Sequence, residues 1–314
     1  MVASRTCTRV GRAISLCDMA MPGKSQATRS GAKGTGPGVG QRRGLILAGM
    51  VFALVLAATA LWSNRDASWD RVRDAGVVRI GYALEAPYAF MTEAGRVTGE
   101  APEIARQVAQ RLGLAEPEWI LTDFDRLIPE LQANRFDVIA AGLFITQERE
   151  RVVAFTRPTA QVQPGMLVRR GNPSGLVSYA DAAARSEVKL AALAGSVEAR
   201  ELAQLGVPTE RLIISPDTIS GLSLLRAGKV QGLALSLPTV RWMASSPDTN
   251  EWAQAVAMHA EGKGAQVAFA FRQADQALRE KWDGELAGFL GGAEHGLLER
   301  EFGLGAEARS EARP

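Results

Sequence analysis

Arg149 owes its chemical interest to what precedes it. Residues 136–142, Phe-Asp-Val-Ile-Ala-Ala-Gly, are apolar and β-branched, end in small residues and close on a glycine, which is the composition of a buried strand. Thr146 follows four residues later, and its side chain can cap a short helix through the N–H of Glu148 or Arg149. A guanidinium then stands just past the carboxyl end of a buried strand, where open α/β sheets bind their ligands. Its planar fork matches a carboxylate in two parallel hydrogen bonds, and the pair strengthens where water is excluded. Residues 155–158, Phe-Thr-Arg-Pro, run extended into proline and suit an exit to a second lobe. Strand, cation and exit together predict a cleft.

Two carboxylates could face that cation's ligand. Glu85 lies in the loop after the first predicted strand, three residues before Tyr88, and Glu198 opens a later helix. Either can pair with a cation through charge-assisted N–H···O⁻ bonds. Tyr88, Phe124 and Phe144 precede or follow strand ends in a chain only 6% aromatic. Desolvated aromatic faces attract a soft cation at roughly 0.5 to 2 kcal/mol each. The backbone N–H groups near Gly142 and Ser196 are further anion donors. The alternatives are Phe124 as a core residue of its helix, Glu85 as an exposed loop carboxylate, and Glu198 as an acidic residue favoured by the helix macrodipole.

The elements that must position these residues alternate. Strands are expected at 77–81, 136–142, 190–193, 212–214 and 232–235. Helices are expected at 101–114, with Ile104, Val108 and Leu112 on one face, at 123–133, at 196–205 and, capped by Asp217, at 218–227. The pattern is that of an α/β protein with two lobes, each an open, mostly parallel sheet flanked by helices. Residues 69–160 form the first part of lobe 1, 161–265 form lobe 2, and 266–303 return to lobe 1, with a helix at 273–290. Residues 304–314 read as a disordered tail. The two crossings make a hinge on which the lobes can close.

Residues 1–60 differ in kind. Residues 1–40 are rich in Gly, Ser, Arg and Lys without an apolar period, and read as disordered. Arg42-Arg43 then precede an uncharged stretch with an apolar core at 44–60, ending Ala58-Thr59-Ala60. A positive flank, apolar core and small residues predict a secretory signal peptide cleaved after Ala60, with an uncleaved membrane anchor as the alternative. Both cysteines, Cys7 and Cys17, lie in this leader, so the exported part carries no thiol. Residues 1–60 hold 8 of the 36 Lys+Arg and 1 of the 34 Asp+Glu, leaving 28 against 33 and a net charge of −5 in residues 61–314. The basicity belongs to the leader, and no nucleic-acid partner is expected.

The sequence has no Gly-rich phosphate loop, no clustered metal ligands and no G-x-S-x-G elbow, so no cofactor, metal or catalytic nucleophile is expected. His259 and His295 read as ordinary surface residues.

Over residues 69–303 the chain resembles family 3 of the bacterial extracellular solute-binding proteins. The resemblance rests on Val78-Arg79-Ile80-Gly81-Tyr82, Pro87-Tyr88, Gly95-Arg96-Val97-Thr98-Gly99, Phe136-Asp137, Thr146-Gln147-Glu148-Arg149, Ala194-Gly195-Ser196-Val197-Glu198 and Leu225-Arg226-Ala227-Gly228-Lys229-Val230, in that order and spacing. Within the family it is most similar to the ectoine/hydroxyectoine-binding branch, through Glu85-Ala86-Pro87-Tyr88, Gly99-Glu100-Ala101-Pro102-Glu103 and Ala140-Ala141-Gly142-Leu143-Phe144-Ile145-Thr146. The resemblance implies a periplasmic, monomeric, type II two-lobed receptor, not an enzyme, that delivers a small zwitterionic solute to the membrane permease subunits of an ABC importer. It implies that Arg149 holds the solute's carboxylate and that Tyr88, Phe124 and Phe144 wall its cation, paired with Glu85 and Glu198. Members that bind α-amino acids place an Asp after the late lobe-2 strand, where this chain has Ser236. That departure favours a delocalised ring cation over an α-ammonium. A polar amino-acid receptor is the alternative, and a periplasmic dehydratase on the same fold, with Glu85 or Glu198 moving the proton, is a further one.

Overall fold

Short apolar strands alternating with amphipathic helices build two five-stranded sheets, one in each lobe. The computed structural model describes residues 66–259 and 264–304, with Met50 and Phe52 besides. Those two residues apart, the expected signal segment with its cleavage site, and residues 305–314 of the expected tail, lie outside the described residues. The chain divides into two units, Met1–Asn64 and Arg65–Pro314, and the described residues from 66 onward belong to the second.

In lobe 1, α1 (Ser68–Ala75) leads to β1 (Arg79–Tyr82), and a small hairpin pairs β2 (Phe90–Met91) with β3 (Val97–Thr98). Helix α2 (Glu100–Arg111) follows, with Ile104 and Val108 wholly buried and Leu112 packed beside them, as its periodicity predicts. After β4 (Glu118–Leu121) the expected helix at 123–133 divides into a 3-10 turn at Phe124–Arg126 and α3 (Leu127–Gln132). Leu127 and Leu131 take the core positions. The strand expected at 136–142 is paired as a ladder only at β5 (Val138–Ile139), parallel to β1 with Ile80 opposite Val138. Asp137 and Ala140 still donate to the Arg79 and Gly81 carbonyls at 2.8 and 3.0 Å, and the positive φ of Gly142 (63°) then turns the chain outward.

Helix α4 (Gln147–Glu150) and β6 (Val153–Phe155) complete the first passage, and β7 (Ala160–Val162) leaves the lobe. Lobe 2 comprises β8 (Pro164–Arg169), α5 (Tyr179–Ala184), β9 (Leu190–Leu193), α6 (Val197–Gln204), β10 (Leu212–Ser215), α7 (Thr218–Arg226), β11 (Gly232–Ser236), α8 (Leu237–Ser245) and β12 (Ala253–Ala257). The chain returns through β13 (Ala265–Val267), β14 (Ala270–Arg272), α9 (Gln276–Phe289) and α10 (Ala293–Glu301).

The sheet orders are β4-β1-β5-β14-β6 and β10-β9-β11-β8-β12. Each sheet is parallel at one side and antiparallel where a crossing strand joins it: β14 against β5 and β6, β8 against β11 and β12. The crossings themselves, β7 and β13, pair antiparallel from Ala160–Val267 to Val162–Ala265 and form the hinge ribbon. At the foot of the lobe 1 sheet, Asp137 receives Arg79 at 2.9 Å and Arg272 at 3.0 Å. Burial opposes the Asp137 charge, but these two guanidinium groups hold its carboxyl below the usual range.

Two residues, His295 and Leu304, depart from their sequence reading. His295, expected at the surface, is buried on α10, edge-on to Phe289 at 5.7 Å, with Gly291 N–H donating to its Nδ1 at 3.3 Å. Helix α10 covers the lobe 1 core, which the polar sequence of residues 291–301 does not announce. Leu304, read as the head of the tail, is buried beside Phe302. Phe124 packs against the apolar clusters of both lobes and is only partly buried.

Candidate functional site

Thr146 caps α4, its Oγ1 accepting the Arg149 N–H at 3.2 Å, and the cap fixes where the Arg149 side chain begins. That side chain is 5% exposed. Its Nη1 donates to the Phe144 carbonyl and its Nη2 to the Gly195 carbonyl in lobe 2, both at 2.9 Å. The Phe124 ring lies 5.8 Å from the guanidinium carbon. Among the described residues Arg149 makes no ion pair within 4.0 Å. Burial lowers its pKa to about 10, reinforced by Arg200 and opposed by Glu198, Glu148 and Glu85, so the cation persists at neutral pH.

The two predicted carboxylates are buried as well. Burial and the Glu198 charge push Glu85 up to about 8, against the Thr239 hydroxyl that donates to its Oε1 at 3.0 Å. Burial pushes Glu198 up to about 6, offset by its own backbone N–H, Arg149 and Ser196. Glu198 sits in the first turn of α6, whose N-cap is Ser196, with Oγ accepting from Ala199 N–H at 3.1 Å. Its helix-terminal setting and its place in the cavity wall therefore coincide.

Glu85, Phe124, Gly142, Phe144, Arg149, Ser196 and Glu198, seven of the nine predicted residues, line one small cavity with Val197. Its free space of about 10 Å³ holds about one water, so a larger solute requires the lobes to part. Tyr88 and Ser236 stand one layer back. A Cβ on Gly142 would lie 2.3 Å from the Tyr88 Cγ, so glycine lets the Tyr88 ring pack directly beneath the cavity floor. The Tyr88 hydroxyl donates to Ser236 Oγ at 3.1 Å across the lobes. Gly195 is the second obligatory glycine: its φ is 74°, and a Cβ there would lie 2.9 Å from the Asp125 Cα of the opposite lobe.

A larger groove of about 540 Å³ runs outside Phe124, between Leu84 and Leu121 of lobe 1 and Pro216 to Ser220 of lobe 2. Its exposed Arg126 and Arg135 are engaged with the buried Glu130, so these charges along it are paired with one another. Phe124 belongs to both walls, so the groove and the inner cavity lie on either side of one ring. Sequence reasoning missed Val197 and Thr239. Thr239 follows a Ser-Leu-Pro start that signals a helix cap, but its contact with Glu85 spans 154 positions and leaves no local trace.

A two-lobed α/β fold with a charged cavity between the lobes defines a solute receptor that closes on its ligand. The chain belongs to the bacterial extracellular solute-binding proteins, family 3, whose profile matches residues 78–290. Such proteins carry small molecules to the membrane permease subunits of ABC importers. It is similar to a probable amino-acid ABC transporter periplasmic-binding protein of Sinorhizobium fredii, at 33% identity over 247 residues, 76% of this chain and 81% of that one. Among solved structures it is similar to EhuB in complex with hydroxyectoine, with a TM-score of 0.70 and 33% identity over 78% of this chain and 96% of that one. The arginine-binding protein of Thermotoga maritima, in its P235GK mutant, matches with a TM-score of 0.67 over 75% and 98% of the two chains, but at 23% identity it shares the fold alone. No helix among the described residues is long and apolar enough to cross a membrane.

Proposed function

We propose that this receptor binds ectoine or hydroxyectoine between its lobes, without chemistry and without a cofactor. The observation that carries the reading is the charge layout of the cavity: one buried guanidinium without an ion-pair partner among the described residues, and the Glu85 and Glu198 carboxyl groups, walled by Phe124 and Phe144. Ectoine carries a carboxylate for Arg149 and a delocalised amidinium ring for the carboxylates and aromatic faces. The lobe-2 position that would hold an α-ammonium is Ser236, whose hydroxyl is engaged with Tyr88 and Thr239. The solved relative in complex with hydroxyectoine supports the same reading.

A polar amino acid is the second reading, favoured by the S. fredii relative. Glu85 and Glu198 supply the amino acid's cation with partners too, though without a localised carboxylate from Ser236. Thermal shift of the exported domain against ectoine, hydroxyectoine, glycine betaine, arginine and glutamine separates the two. A ligand specific to the folded state adds about 2.7 kcal/mol at one hundred times its dissociation constant. A shift with arginine or glutamine and none with the ectoines would replace the first reading by the second. Turnover of a prephenate-like acid would instead show that the perturbed carboxylates serve catalysis.

A further inference from the structure

Four buried side chains from both lobes form a single hydrogen-bonded row. The Tyr88 hydroxyl reaches Ser236 Oγ at 3.1 Å, Ser236 Oγ reaches Thr239 Oγ1 at 3.0 Å, and Thr239 Oγ1 reaches Glu85 Oε1 at 3.0 Å. A hydroxyl has one proton to donate, so the row runs in one direction, and with Glu85 ionised beside a bound cation it ends on the carboxylate. Buried hydrogen bonds in such a row polarise one another. Both ends belong to lobe 1 and the middle to lobe 2, so the row exists only when the lobes meet.

Each lobe holds its part rigidly. Thr239 lies in the first turn of α8, whose N-cap Ser236 accepts the Thr239 N–H at 3.3 Å. Glu85 is fixed by a two-way backbone bridge with Ala89, at 2.8 and 3.0 Å. Among the described residues Glu85 has no ion-pair partner, and Thr239 supplies its one side-chain hydrogen bond. Glu85 also lines the inner cavity, which leaves its other oxygen for a ligand.

We propose that Thr239 is a positioning residue that fastens the Glu85 carboxylate across the cleft, so that Glu85 is presented to the solute's cation only on closure. The inference rests on the functional reading above for the nature of that cation. Without the Thr239 hydroxyl, closure would bury a carboxylate oxygen with no donor, and closure would be disfavoured. Ser236 and Tyr88 act through Thr239, by orienting its hydroxyl.

The test is calorimetric titration of ectoine into the wild-type exported domain, Thr239→Val and Thr239→Ser, with circular dichroism to verify folding. Valine keeps the shape and removes the donor, and should weaken binding about tenfold. Serine restores the donor and should return affinity to within about threefold of wild type. Wild-type affinity in Thr239→Val, or serine as poor as valine, would overturn the proposal. Should the valine variant not fold, Tyr88→Phe carries the test: it removes the first donor of the row, and unchanged affinity would count against the row. A wild-type protein that ignores ectoine but takes arginine or glutamine would sink the functional reading alone. The same variants titrated with that amino acid, whose ammonium makes the same demand on Glu85, would then decide the role of Thr239.

Discussion

Arg149 Nη2 donates to the Gly195 carbonyl oxygen at 2.9 Å, tying the buried cation of one lobe to the backbone of the other. Gly195 also approaches Asp125 so closely that no side chain fits between them. Cation and closure are therefore built on the same residue pair, with the Glu148–Arg200 ion pair joining the lobes nearby.

Gly195→Ala should hold the lobes apart. The added methyl meets the Asp125 backbone at 2.9 Å, and the positive φ adds about 1 kcal/mol of strain. Solute affinity should fall at least tenfold, and small-angle scattering should show a solute-saturated protein that stays more extended than wild type. Wild-type affinity and compactness would mean that the lobes tolerate the methyl and that this approach does not govern closure.

The neighbourhood of Arg149 was legible because its determinants are local. A β-branched run, a turning glycine and a threonine cap lie within fourteen positions, 136–149, and each acts on its own neighbours. The same holds for α2, where 3.6-residue periodicity gave the buried face. What escaped is set by partners far along the chain. β12 reads Ala-Gln-Ala-Val-Ala, with little β-branched character, and becomes a strand because β8 offers it an edge. His295 is buried because α10 packs on α2 and sets the ring against Phe289 at the end of α9, not because its own segment is apolar. Phe124 kept both its readings: it joins two apolar clusters and also lines the cavity.

Phe124 and Phe144 should separate by their substitutions. Phe144→Leu keeps most of the apolar bulk and loses the aromatic face, so affinity should fall severalfold with little change in melting temperature. Phe124→Leu touches both lobe cores and should lower melting temperature as well as affinity. Affinity unchanged in both, measured by calorimetry on folded protein, would remove the aromatic wall from the site.

Glu100 gives a pH prediction outside the cavity. It is 2% exposed, at the start of α2, and the Thr159 hydroxyl faces it without good hydrogen-bond geometry. Burial pushes its pKa from 4.5 up to about 7, opposed by Thr159 and assisted by Glu299. A raised carboxyl pKa means that the folded state prefers the protonated form. Its contribution is fully present below about pH 4.5 and is lost as pH rises through about 7. Glu100→Gln cannot ionise, so it should match wild type near pH 4.5 and melt a few degrees higher at pH 8, a gain on the order of 1–3 kcal/mol. Equal melting temperatures at pH 8 would show that Glu100 is not held in its neutral form.

Ectoine titrated calorimetrically into wild type, Arg149→Ala and Arg149→Lys tests the pairing of Arg149 with the solute's carboxylate. The account predicts binding by wild type and none by Arg149→Ala, with the fold intact by circular dichroism. It predicts a nearly equal loss for Arg149→Lys, because an ammonium cannot form the planar two-bond fork. Arg149→Ala binding ectoine as tightly as wild type would contradict it, and would place the solute's carboxylate elsewhere.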